Sequence, residues 1–248
     1  MRCQPDRLRQ VYNWLKSEQQ CLLCDEPADG ALAICSSCEA ELPWLGGHCQ
    51  VCALPLPSPL PVHGLSCGAC LQRPPSFQRV EAPWRYAFPI DSLITRFKHQ
   101  AKWPLGRLLG ELLSQHLLHA FAEGLPRPDL LLPVPLADKR QRQRGFNQAG
   151  MLAHWLSGQL QLPLQAHWLQ RVVDTPAQQQ LDAATRKRNL RRAFALAPDS
   201  QVKGLHLALI DDVLTTGATA ESLARLLSKA GAARVDVYCL ARTPKPGD

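Results

Sequence analysis

An α/β domain with a mainly parallel sheet flanked by helices, preceded by a small Cys-rich domain, is the fold class that three features of the sequence predict. Nine of the ten cysteines fall within the first 70 residues, and eight of those nine stand in Cys-x-x-Cys pairs. Farther along, short apolar runs at 130–134, 207–210 and 234–240 alternate with segments of helical periodicity, the pattern of strands covered on both faces of a parallel sheet. Charge divides in the same place: 6 Lys/Arg against 7 Asp/Glu through residue 79, then 22 against 14. That basic excess suits a phosphorylated ligand or nucleic acid.

At 248 residues the chain holds one domain of ordinary size and a small one. The expected division is an N-terminal helix at 1–20, a cysteine domain at 21–76 and the α/β domain at 77–248. The first segment places Leu8, Val11, Trp14 and Leu15 on one side of a short helix, and no chemistry attaches to it. No basic segment followed by an apolar one opens the chain, and no apolar run approaches the roughly 20 residues that span a bilayer. A cytoplasmic protein is expected, and there paired cysteines serve metals more often than disulfides.

Cys21 and Cys24, Cys35 and Cys38, Cys49 and Cys52, and Cys67 and Cys70 are the four pairs, 10, 10 and 14 residues apart. Each pair can form a knuckle offering two thiolates to a tetrahedral zinc, and two knuckles complete one site. Eight ligands therefore imply two structural zinc ions. Sharing between consecutive pairs closes the shortest loops and is preferred over cross-bracing. A disulfide or redox framework is the competing reading, and four pairs in succession without a strand-helix pattern between them argue against it. His48 and His63 read as bystanders.

Pro74, Pro75, Pro83 and Pro89 keep the next stretch extended, with Trp84, Tyr86 and Phe88 alternating as in a short strand. Residues 90–122 read as helical, divided at Pro104. Lys98, within this stretch, reads from the residues alone as a solvated helix position.

The apolar run at 130–134 leads into a basic loop with Lys139, Arg140, Arg142 and Arg144, then Gly145, Phe146, Asn147 and Gln148, before a helix from about residue 147 to 160. Four cations within six residues at the carboxyl end of a strand suit an anion. A third basic run, Arg186, Lys187, Arg188, Arg191 and Arg192, follows a polar stretch containing Gln178, Gln179 and Gln180. It reads equally as a lid over a small ligand or a grip on phosphates.

Residues 207–219 organise the domain. A strand of four apolar residues ends in Asp211 and Asp212, then Thr215, Thr216, Gly217, Ala218 and Thr219 lead into an amphipathic helix that stops near Gly231. Free N–H groups and hydroxyls at a helix N-terminus attract an anion, and paired carboxylates accept from vicinal hydroxyls or hold a divalent metal. A ribose phosphate offers both partners. Asp-Asp alone would be an ordinary turn; the longer combination favours a ligand site. Neither Gly-x-x-x-x-Gly-Lys-Ser/Thr nor Gly-x-Gly-x-x-Gly occurs, which removes two rival nucleotide motifs.

Five segments occur in a fixed order: Phe97-Lys98; Arg144-Gly145-Phe146-Asn147-Gln148; Thr175-x-x-Gln178-x-x-Leu181; Arg186-x-x-Asn189 with Phe194; and Asp211-Asp212-Val-Leu-Thr-Thr-Gly-Ala-Thr219. With the leading cysteine pairs, the chain resembles the ComF/GntX family, which joins a zinc-binding N-terminal region to a phosphoribosyltransferase-like domain. The resemblance implies a type I phosphoribosyltransferase fold. Asp211 and Asp212 then face ribose hydroxyls, residues 215–219 surround the 5′-phosphate of phosphoribosyl diphosphate (PRPP), Mg accompanies that ligand, and Lys98, Asn147, Gln148 and Gln178 join the basic residues as candidate contacts for diphosphate or DNA. It also implies a part in DNA uptake in competence or in DNA utilisation; single-stranded DNA, held by the basic segments, and other DNA-uptake proteins are then the expected partners. Two alternatives stay open: an active phosphoribosyltransferase acting on an unidentified nitrogen base, in which Asp211 and Asp212 are catalytic, and a non-catalytic scaffold with a partner-binding zinc module.

Overall fold

A computed structural model of the chain describes residues 19–56, 64–172 and 193–245. The chain forms two compact units, residues 1–42 and 43–248. The expected N-terminal helix lies, through residue 18, outside the described residues, as do His63, Gln178, Arg186, Lys187 and Arg188.

Within the first unit, the Cys21 and Cys35 pairs face each other and the short helix α1 (Ser36–Ala40) follows Cys35. The turns are backbone-closed: Asp25 N–H donates to Cys21 O at 2.9 Å and Glu39 N–H to Cys35 O at 3.0 Å. Among the described residues of this unit Ile34 and Leu42 are the buried aliphatic side chains, beside the cysteines that would hold a metal.

The second unit begins with the other two cysteine pairs, the last of them at helix α2 (Gly68–Gln72), and continues into a five-stranded parallel sheet. Its strands are β1 (Arg79–Glu81), β2 (Trp84–Arg85), β3 (Leu130–Pro133), β6 (His206–Leu214) and β7 (Arg234–Arg242). The order is β1-β7-β6-β3, with β2 continuing on the same side of β7 as residues Trp84 and Arg85 opposite Ala241 and Arg242. The sequence expects strand character over Trp84, Tyr86 and Phe88; only the first part pairs, and Phe88 is exposed. A separate antiparallel pair joins β4 (Leu169–Arg171) to β5 (Phe194–Leu196).

Both faces of the sheet are covered, which explains the unbroken apolar runs. Leu130, Leu132, Leu207, Leu209, Val235 and Val237 share one core with Leu223, Ala224 and Leu227 of helix α7 (Ala218–Lys229). The alternate residues, including Leu131, Ala208, Ile210 and Tyr238, are buried on the opposite face. Helices α4 (Trp103–Ala122) and α6 (Gln148–Leu160) pack there and against each other, with Phe121 edge-on to Tyr238.

The division of residues 90–122 occurs just ahead of Pro104. Helix α3 (Ile90–Gln100) ends at Ala101, whose φ of 51° is left-handed, and Pro104 occupies the first turn of α4, where its missing N–H costs nothing. The basic stretch is not a loop: residues Asp138–Arg144 form a short helix, α5, closed by Gly145 at φ 81°. Strand β6 runs four residues beyond its apolar run, so Asp211 and Asp212 lie in the strand and not in a turn. Residue 211 is still paired in register with Cys239, and 214 with Arg242.

Candidate functional site

The site lies at the carboxyl end of β6, where α3, α5, the start of α6 and the start of α7 converge. Lys98, on α3, reaches Asp212 with Nζ 2.5 Å from Oδ2, and the Asp212 side chain is buried. The solvated position expected for Lys98 is thereby replaced by an ion pair at the two acids. Asp212 N–H donates to Asp211 Oδ1 at 2.9 Å, and Val213 N–H to Asp212 Oδ1 at 2.8 Å, which fixes both carboxylates against the strand. Burial, and then the neighbouring charge of Asp212, push the Asp211 carboxyl up to about 8.

Four residues of Arg144-Gly145-Phe146-Asn147-Gln148 have definite tasks here. Gly145 supplies the left-handed turn. Asn147 caps α6, its Oδ1 accepting from Ala149 N–H at 3.1 Å, while its Nδ2 donates to Val134 O at 3.1 Å, tying the helix to the end of β3. Gln148 is buried and its Oε1 accepts from Arg144 Nη1 at 2.9 Å. Arg144 and Arg140, four residues apart, are half-buried on one side of α5, whereas Lys139 and Arg142 are exposed. Burial, then the charge of Arg140, lower the Arg144 guanidinium, and the charge of Asp212 opposes them. His99 is also lowered, by burial first and then by Arg144 and Lys98. The protein thus gathers Lys98, His99 and Arg144 about the acidic pair, with Arg140 beside Arg144, while Lys139 and Arg142 are exposed on the same helix.

Thr215 and Thr216 are exposed, and Gly217, at φ 73°, turns the chain into α7. Ala218 N–H lies 3.4 Å from Thr216 Oγ1, a weak cap that leaves the helix N-terminus open to an anion. The loop is braced from beneath by a residue that sequence reasoning did not identify. Buried Arg242, at the end of β7, donates through Nη1 to Leu214 O at 3.1 Å, Thr215 O at 2.5 Å and Thr243 O at 2.7 Å. Its Nε donates to Cys52 O at 2.9 Å, so one guanidinium holds both the threonine loop and the third cysteine knuckle. Only its place at the end of a strand beside the acidic one could have signalled it.

The eight cysteines form two groups, Cys21, Cys24, Cys35, Cys38 and Cys49, Cys52, Cys67, Cys70, with all sulfurs in each within 4.8 Å of one another. Consecutive pairs share a group, as loop closure favours. A tetrahedral zinc with Zn–S of about 2.3 Å requires sulfurs about 3.8 Å apart; Cys24 and Cys35 are 3.7 Å apart, as are Cys52 and Cys67. These are zinc spacings, far from the roughly 2 Å of a disulfide. Burial opposes ionisation of Cys21 and Cys49, yet backbone N–H groups of their own knuckles and of the facing pair bring them down to about 6 and about 7. All four ligands of each group are thiols, so the sites are closed and structural. His48 belongs to neither group and contacts Gly46 O at 2.7 Å.

Residues 13–71 match the double zinc ribbon domain family. Over 229 residues the chain is 39% identical to the DNA utilization protein YhgH of Salmonella typhi, covering 90% of this chain and 96% of that one. The chain belongs to the ComF/GntX family. A second relative, Competence protein F of Haemophilus influenzae, is 36% identical over 214 residues, covering 84% of this chain and 90% of its own. Among solved structures, a purine phosphoribosyltransferase from Pyrococcus horikoshii Ot3 aligns with 54% of this chain and 70% of its own, at 18% identity and a TM-score of 0.33. The ComF/GntX assignment rests on the sequence relatives and on the zinc ribbons, and the parallel sheet flanked by helices is read directly from the strand pairing. Among the described residues, no helix is long and apolar enough to cross a membrane.

Proposed function

We propose that this protein is a DNA-uptake or DNA-utilisation factor whose α/β domain binds PRPP or a related ribose phosphate, with Mg, at the end of β6, and single-stranded DNA across the same cationic cleft. The observation that carries this reading is the ion pair of Lys98 with buried Asp212 beside the open N-terminus of α7. A structural role alone would not need a second carboxyl, Asp211, held beside it at a raised pKa.

In this reading the ribose hydroxyls donate to Asp211 and Asp212, and the 5′-phosphate accepts from the N–H groups and hydroxyls of residues 215–219. Mg, when bound with the ligand, neutralises the diphosphate; Arg144 and Arg140 supply further positive charge. The names of the relatives support the DNA role. Phosphate contacts would dominate nucleic-acid affinity and make it fall steeply with salt. Calorimetry with Mg-PRPP on the full zinc-loaded chain tests the sugar-phosphate half: binding lost in both Asp211→Asn and Asp212→Asn is expected. Equal affinity in the two variants and the parent would refute it.

A further inference from the structure

Four aromatic rings beside the cationic cleft take no part in the ribose-phosphate reading. Phe97 is fully buried at their centre, with ring centroids 6.3 Å from Trp103, 5.6 Å from Phe146 and 6.0 Å from Trp155. Trp103 and Phe146 are 4.4 Å apart. These separations fall at or near the range of favourable aromatic pairs. The floor beneath them is made of glycine. A Cβ on Gly106 would lie 2.4 Å from the Phe97 ring, and one on Gly110 would lie 3.2 Å from Trp155. Helix α4 has therefore given up side chains at two positions to seat rings.

Trp103 stands at the rim and remains 41% exposed, although burying an indole is among the largest apolar gains a side chain offers. Cations stand close to these rings along the chain. Lys98 follows Phe97 directly, exposed Lys102 precedes Trp103, and Arg144 lies two residues before Phe146. A purely apolar partner would gain nothing from that charge, and a phosphate alone would gain nothing from the indole. A polyanion carrying flat apolar groups uses both, and a duplex keeps those groups stacked within itself.

We propose that Trp103, backed by Phe146, is a stacking platform for a base of single-stranded DNA, with Lys98, Lys102 and Arg144 taking the adjoining phosphates. This rests on the single-stranded DNA reading above and gives it a specific residue. The platform reads any base, because stacking requires a ring face and not a hydrogen-bonding edge.

Fluorescence anisotropy with a labelled oligothymidylate and an abasic oligomer of equal length tests it on the full zinc-loaded chain. Trp103→Leu should weaken the base-bearing oligomer about tenfold and leave the abasic one unchanged; Trp103→Phe should restore most of the loss, and Phe146→Leu should show a smaller loss of the same kind. Unchanged affinity in Trp103→Leu, or equal losses on both oligomers, would overturn the platform. If the parent binds both oligomers equally, the platform alone falls; if it binds neither, the nucleic-acid reading falls with it.

Discussion

Asp211 and Asp212 are adjacent in sequence and opposite in circumstance. Asp212 has Lys98 2.5 Å away, whereas Asp211 has burial and a like charge beside it, and its carboxyl is pushed up to about 8. A carboxyl raised on folding favours the native state while it is protonated. That contribution is complete below the ordinary value of 3.8 and is lost as pH rises through about 8. Asp211→Asn cannot ionise, so its melting temperature should match the parent near pH 4 and exceed it at pH 9. A variant less stable than the parent at pH 9 would contradict the assignment. At this scale the sequence shows the acids, the threonines and Arg144 clearly, because each belongs to a local run. It does not show that Lys98 meets Asp212, since that pair joins residues more than a hundred positions apart on two different elements.

Elements place these residues by what they leave out as much as by what they contain. Gly106 lets α4 lie directly on the ring of Phe97, which in turn sets the end of α3 where Lys98 departs. Gly106→Ala should cost about 1–3 kcal/mol in urea unfolding through overpacking; a neutral effect would mean the two helices adjust freely. The end of β7 has the corresponding role for the threonine loop. Arg242→Lys keeps the charge but cannot serve Leu214, Thr215, Thr243 and Cys52 from one planar fork. The expected loss is about 2 kcal/mol, with faster amide exchange in residues 215–218 while β3 stays protected. Uniform acceleration throughout the sheet would instead mean a general loss of stability. Apolar runs and periodicity made β3, the helical stretches and β7 legible. The alternation at Trp84, Tyr86 and Phe88 made β2 legible in part, whereas β1 and the β4–β5 pair were not, because three residues carry too little pattern; their pairing is decided by partners distant in the chain. The basic stretch carries no helical signal in the sequence, because its helix, Asp138–Arg144, has no buried residue to mark a periodic face.

At the scale of the whole molecule, the second cysteine group and the cleft belong to one compact unit. That group sits on the same unit as the sheet, and Arg242 joins its Cys52 carbonyl to the threonine loop. Spacing of the eight cysteines made both zinc sites legible, since a knuckle is a local feature; the bond from the second of them to the loop is a tertiary one and was not. Two zinc ions per chain are expected by elemental analysis. Cys49→Ser should lose one of them and weaken Mg-PRPP binding, whereas Cys21→Ser should lose one with the PRPP affinity retained. Equal effects of the two substitutions on PRPP would separate the second zinc from the loop.

The central claim is that one cationic cleft, built on Asp211, Asp212, Lys98 and Arg144, serves both ribose phosphate and single-stranded DNA. Calorimetric titration of Mg-PRPP, repeated with the chain saturated by a single-stranded oligonucleotide, tests it most directly. Mutual exclusion is the predicted result, and Mg-PRPP binding with the same affinity in both titrations would contradict it.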